Sequence, residues 1–185
     1  LTFDALGNLY SADCHSAPLY ELLRGGYYPS FGKPHDGLGF APTLMEHSHG
    51  STAICGPIFY ADDQWPEEYQ NTMLVGNVMT SRINRDTLIS RGSSKTAREE
   101  KDFVTTSDPW FRPVDLQLGP DGALYVADFY NRIIGHYEVP LTHPGRDRER
   151  GRIWKISYIG NGSDAKAPAK LPDFSRMDEA QLIAE

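Results

Sequence analysis

The chain has 185 residues, of which 39% are apolar, 11% aromatic and 23% charged, with a formal net charge of −7. That length is enough to bury one sizeable core. The acidic balance argues against nucleic acid as a partner, because phosphate binding requires a basic face, and no run approaches the roughly 18 apolar residues that cross a bilayer.

The chain opens on Leu1-Thr-Phe-Asp-Ala-Leu-Gly7-Asn-Leu-Tyr10-Ser-Ala-Asp13, which reads as a short apolar strand, a tight glycine turn and a second, alternating strand. The pattern returns as Leu116-Gln-Leu-Gly-Pro-Asp-Gly122-Ala-Leu-Tyr125-Val-Ala-Asp128, with six of thirteen positions identical. A repeated hairpin of this kind predicts a β-propeller, whose blades are small antiparallel sheets that bury their faces against their neighbours. A first residue already inside a strand predicts an internal segment of a longer protein.

Pro18–Leu23 predicts a further strand. Residues 24–42 are dense in glycine and proline, and Tyr27, Tyr28, Phe31 and Phe40 predict an ordered loop packed over a surface. Within that loop Lys33 and His35 are candidates for covering a ligand or cofactor, because loops on rigid scaffolds carry much of binding.

A second blade is expected from about Gly50 to Ser107. Its Ala53–Tyr60 run has a strand's composition, with Cys55 as a small buried hydrophobe. Gln64–Gln70 predicts a turn or a single helical turn, Met73–Asn77 repeats the second-strand pattern, and Ser81–Asp86 predicts a third strand. Leu9, Leu74 and Leu124 then occupy equivalent places, 65 and 50 residues apart. Arg91–Lys101 is polar throughout and predicts an exposed loop.

The third blade is expected over Phe111–Tyr158, closing on the strand Gly151–Tyr158. Before it, Arg146–Arg152 alternates in sign with period two, so an extended ribbon would carry four arginines on one face and two acids on the other. The composition then predicts a propeller segment over 1–158, a linker over 159–172, and over 173–185 the start of a helix with Ser175 as N-cap.

Several residue types bear on chemistry. Cys14 and Cys55 make no metal motif, no Cys-x-x-Cys-His is present for haem, and a disulfide and two free thiols are the alternatives for the pair. His47 and His49 enter the second blade at its first strand, and inner strands line a propeller's channel. There an imidazole suits a catalytic base, while two of them at i and i+2 of an extended strand point the same way and suit a metal; a structural loop role is the third reading. Asp13 and Asp128 close equivalent strands, which favours bonding of turn amides. Asp128 with Asn131 also offers oxygen ligands to calcium, which takes six to eight.

Gly50-Ser-Thr-Ala-Ile, Phe59-Tyr-Ala-Asp-Asp-Gln-Trp-Pro-Glu-Glu-Tyr69, Leu74-Val-Gly-Asn77, Phe111–Asp128 and Gly151-Arg-Ile-Trp-Lys-Ile156 together resemble the soluble quinoprotein glucose/sorbosone dehydrogenase superfamily. The long run Asp128–Trp154 resembles in particular its membrane-bound dehydrogenase branch of planctomycetes and verrucomicrobia. The resemblance implies an all-β chain making about three blades of a six-bladed β-propeller, followed by HEAT-like helices and a c-type cytochrome domain.

It further implies oxidation of a sugar or related alcohol by pyrroloquinoline quinone with calcium, with electrons passed to a cytochrome in the periplasm or cell envelope. Arg112 matches an arginine that contacts the quinone, although the second arginine of that pattern is Val114 here. The superfamily's base lies in an earlier blade, so the resemblance gives that role to neither His47 nor His49. Two other classes remain open. One is a non-catalytic propeller that binds polysaccharide or a protein partner. The other is a calcium-dependent lactonase-like hydrolase using Asp13, Asn77 and Asp128.

Overall fold

The computed structural model describes residues 1–14, 19–29, 39–51, 53–135, 137–160 and 172–184. Three antiparallel sheets follow one another along the chain. The first contains β1 (Thr2–Phe3), β2 (Leu9–Ala12) and β3 (Leu19–Leu22) in sequence order. The second contains β4 (Ile54–Phe59), β5 (Thr72–Asn77), β6 (Arg82–Arg91) and β7 (Ser94–Glu99), with the short β8 (Val104–Thr105) beside the start of β6. The third contains β9 (Pro113–Leu118), β10 (Leu124–Asp128) and β11 (Arg152–Ile156).

Each sheet is an up-and-down meander, and the first strands of successive sheets lie side by side, β1 against β4 and β4 against β9. All-β sheets that meet along their leading strands fit part of a propeller.

The two copies of the repeated hairpin form the β1–β2 and β9–β10 turns, where Gly7 at φ 83° and Gly122 at φ 74° take the left-handed conformation that the turn demands. Burial follows the pleat. On β5, Met73 and Val75 face the first sheet and join Tyr10, Leu19, Leu44, Ile54, Phe59 and Leu88 in one core. Leu74 points the other way and joins Ile58, Trp65, Ile83, Phe111, Leu116, Leu124 and Val126 in a second core shared with the third sheet. A strict period of two would put Ile54 and Phe59, five positions apart, on opposite faces, yet both reach one core. A bulge at Gly56–Pro57, opposite β5, shifts the register between Cys55 and Ile58.

Three expectations are corrected. Arg91–Lys101 is largely strand rather than loop: Gly92 at φ 63° turns the chain and β7 pairs with β6 from Ser94 to Glu99. Its polar composition reflects an outer strand whose ladder bonds do not depend on apolar side chains. Arg146–Arg152 is not a ribbon, because Asp147 Oδ1 accepts from the amides of Glu149 and Arg150 and folds the segment into a turn, with β11 starting only at Arg152. Ser175 does not cap a long helix. Asp173 caps a short 3-10 turn over Phe174–Arg176, and Asp178 and Gln181 cap each other's amides at the start of α1 (Glu179–Ala184).

Both cysteines are free thiols, Cys14 exposed and Cys55 half-buried with Sγ 3.4 Å from the Pro113 carbonyl oxygen. Burial raises the Cys55 thiol pKa to about 11. Among the described residues, no helix is long and apolar enough to cross a membrane.

Candidate functional site

Leu44–His49 has no strand pairing of its own. It is nevertheless fixed to the second sheet at both ends, since the Ala97 amide donates to the Leu44 carbonyl at 2.7 Å and Asn77 Nδ2 donates to the His49 carbonyl at 3.1 Å. This anchoring brings His47 and His49 over Asp86 of β6. His47 Nε2 lies 2.7 Å from Asp86 Oδ1 and His49 Nε2 lies 2.8 Å from Asp86 Oδ2. The side chains of Asp86, His49 and His47 are 0%, 1% and 23% exposed.

The two rings meet edge to face, with centroids 5.1 Å apart. Behind them His49 Nδ1 sits 3.4 Å from Glu99 Oε1, without the alignment of a hydrogen bond. Burial lowers the His49 pKa, but the hydrogen bond and charge of Asp86, helped by Glu99, outweigh it and leave the value raised above 6.5. One coordinating atom each from His47, His49 and Asp86 fall within 4.8 Å of one another. An open groove of about 490 Å³, lined by Glu46, His47, Arg91, Arg98 and Glu99 among others, runs beside His47.

The sequence pattern puts the histidines at the first strand of the blade, beside the channel. They lie instead over β6, the third strand, whose neighbour Glu99 is on β7. The sequence pattern singles out neither Asp86 nor Glu99 as a site residue. An aspartate inside a predicted strand was the available signal, since strand interiors are poor in aspartate. Glu99 was hidden in the segment read as loop.

Arg112 lies elsewhere, buried between the second and third sheets. Its Nε donates to the Asn131 carbonyl at 2.9 Å, and its Nη1 donates to the Val78 carbonyl at 2.6 Å and to Ser81 Oγ at 3.1 Å. Its Nη2 donates to the Arg132 carbonyl at 3.2 Å. Asp128 is equally committed. Oδ1 accepts from the Arg112 and Tyr130 amides, and Oδ2 accepts from Arg152 Nε and Trp154 Nε1. Asn131 donates to the Asp147 carbonyl and accepts from the Ile133 amide.

These three residues therefore do not fit a bound quinone and calcium. The guanidinium has its donors on backbone and hydroxyl oxygens, and the oxygens of Asp128 and Asn131 already accept from protein groups. Lys33 and His35 lie outside the described residues, as does most of the expected linker.

A second cleft, about 890 Å³, is rimmed by Trp110, Arg132, His143, Asp147, Arg148 and Glu149 among others. Arg146 braces its wall by donating to the carbonyls of Pro140, Ile133, Gly135 and Val139.

A family model described as a domain of unknown function, DUF7133, matches residues 30–159. The chain belongs to the DUF7133 family. No curated protein and no solved structure matches it. The DUF7133 region takes in the second and third sheets complete, and with them both the His47–His49–Asp86 cluster and the Arg112 anchor.

Proposed function

We propose that the chain is a section of a six-bladed β-propeller that binds carbohydrate through the cleft beside Trp110. The observation that carries this reading is the cleft itself: a wide, open depression in which a half-buried indole ring stands among arginine and carboxylate side chains. Sugars are held by an aromatic face under the ring carbons and by planar groups that make paired hydrogen bonds to hydroxyls or carboxylates. Arg132 is exposed and, among the described residues, no carboxylate pairs with it, so it supports a preference for an acidic sugar.

Quinone-dependent oxidation with electron transfer to a c-type cytochrome in the cell envelope rests on the resemblance alone, and Arg112, Asp128 and Asn131 do not fit its cofactors. The test is calorimetric titration of the full-length protein with neutral and uronate-containing oligosaccharides. Trp110→Ala should weaken all of them at least about tenfold, and Arg132→Ala should weaken the acidic ones selectively. Titration with pyrroloquinoline quinone and calcium should give no saturable absorbance change. Saturable quinone binding that Arg112→Lys abolishes in a folded protein would replace this reading with the dehydrogenase.

A further inference from the structure

We propose that His47, His49 and Asp86 form a binding site for a first-row divalent transition metal, with zinc the ion that fits its donor set. The inference is independent of the carbohydrate reading, since the cluster and the Trp110 cleft share no residue.

Three features carry it. The first is convergence. Both imidazoles present Nε2 to a single carboxylate, and the three coordinating atoms lie within 4.8 Å of one another. Metal–nitrogen and metal–oxygen bonds of about 2.0–2.2 Å are within reach through small side-chain shifts. Two nitrogens and one oxygen suit zinc and its neighbours in the row, whereas calcium and magnesium select sets made of oxygen.

The second feature is charge. Asp86 is fully buried, and among the described residues no lysine or arginine pairs with it; its carboxylate oxygens are bonded to the two histidines. Metal ligation takes both imidazoles in their neutral form, and the buried Asp86 carboxylate, with Glu99 its partner across the strands, then has no cationic side chain of the protein against it. A divalent cation supplies what is missing. Glu99 also stands where metal sites place an outer carboxylate. His49 Nδ1 is buried with no aligned hydrogen-bond partner, 3.4 Å from Glu99 Oε1, and an Nδ1–H donated to Glu99 fixes the tautomer that leaves Nε2 free for the ion.

The third feature is access. His49 and Asp86 are closed off, but His47 borders the open groove lined by Glu46 and Glu99, so an ion has a way in and a fourth position open to water. Three protein ligands with one open position is the arrangement of an accessible zinc site rather than of a closed structural one. Bound there, the ion fastens Leu44–His49 across β6 to the second sheet, adding to the two backbone hydrogen bonds at its ends.

The experiment uses the full-length protein, stripped with a chelator, and titrates Zn²⁺ by calorimetry and Co²⁺ by visible absorption. His47→Gln is the principal variant because His47 is partly exposed and its loss leaves the core intact. The expected result is that the wild type binds one more equivalent than His47→Gln. In the wild type that equivalent carries the visible bands of nitrogen- and oxygen-ligated cobalt. Asp86→Asn should lose the same equivalent, and Glu99→Gln should retain it with about tenfold to a hundredfold lower affinity.

Thermal melting gives a second reading: Zn²⁺ should raise the wild-type melting temperature and leave that of His47→Gln unchanged. Equal stoichiometry in the wild type and a folded His47→Gln, or cobalt bands that survive the substitution, would overturn the proposal. It would then leave Asp86 satisfied by two hydrogen-bonding imidazoles alone.

Discussion

Asp4 and Asp121 show how one side chain can hold a hairpin turn. Asp4 accepts from the Leu6 and Asn8 amides, from Asn8 Nδ2 and from Tyr10 Oη, and pairs with Lys95 of the next sheet. Asp121 accepts from the Ala123 amide and Tyr125 Oη and pairs with Lys155. Burial pushes the Asp4 pKa up, but the Lys95 ammonium and the Asn8 and Tyr10 donors outweigh it and hold the carboxyl well below the usual range. A depressed carboxyl pKa contributes stability above the unfolded value of about 3.9, and that contribution is lost as pH falls through it toward the folded value. Asp4→Asn should therefore lower stability by about 2 kcal/mol at neutral pH, and the gap from wild type should narrow at pH values below about 4. Urea midpoints at the two pH values check this. Arg112→Met should cost about 2–4 kcal/mol in the same assay, because it strands the carbonyls of Val78 and Asn131. Arg112→Lys, lacking the planar fork, should restore only part of the loss.

At the scale of elements, the second and third sheets approach so closely that two glycines are required. A Cβ on Gly56, which has φ +53°, would lie 2.6 Å from the Asp115 Cα, and one on Gly76 would lie 2.3 Å from the Pro113 carbonyl oxygen. Both neighbours are backbone, so neither can move aside cheaply. Gly56→Ala and Gly76→Ala should each destabilise by at least about 2 kcal/mol. Gly92→Ala is the control. It has φ +63° with nothing within 4 Å of the added atom, so it carries only the conformational strain, about 1 kcal/mol. Comparison of the three by thermal or chemical denaturation separates close approach from turn strain.

For the whole molecule, β5 couples the two cores, because its successive residues face opposite sides. Val75 and Met73 belong to the core shared with the first sheet, and Leu74 belongs to the core shared with the third. Neither core closes without the second sheet between them. The three sheets should therefore unfold in one transition, with Trp65 fluorescence and far-UV circular dichroism giving coincident curves. Leu74→Ala should move that single midpoint by about 2–5 kcal/mol, and Val75→Ala should move the same midpoint by less. Two separate transitions, each shifted by only one of these substitutions, would contradict the coupling.

What the sequence by itself determined is whatever depends on local pattern. The Leu1–Asp13 and Leu116–Asp128 match identified both hairpins, because a glycine turn flanked by alternating residues is specified within a dozen positions. The same locality made β4, β5 and the start of β6 legible. Polar β7 was not, since its strand is imposed by the ladder bonds of β6. The tertiary structure alone decided which polar residues meet. Asp86 stands 37 residues after His49, and only the fold over β6 makes the two neighbours. Arg112, read from its motif as a ligand contact, gives its hydrogen bonds to carbonyls 19 and 34 positions away. Side-chain chemistry is written in the sequence, but whether a charged group is free for a ligand depends on which distant backbone atoms reach it first.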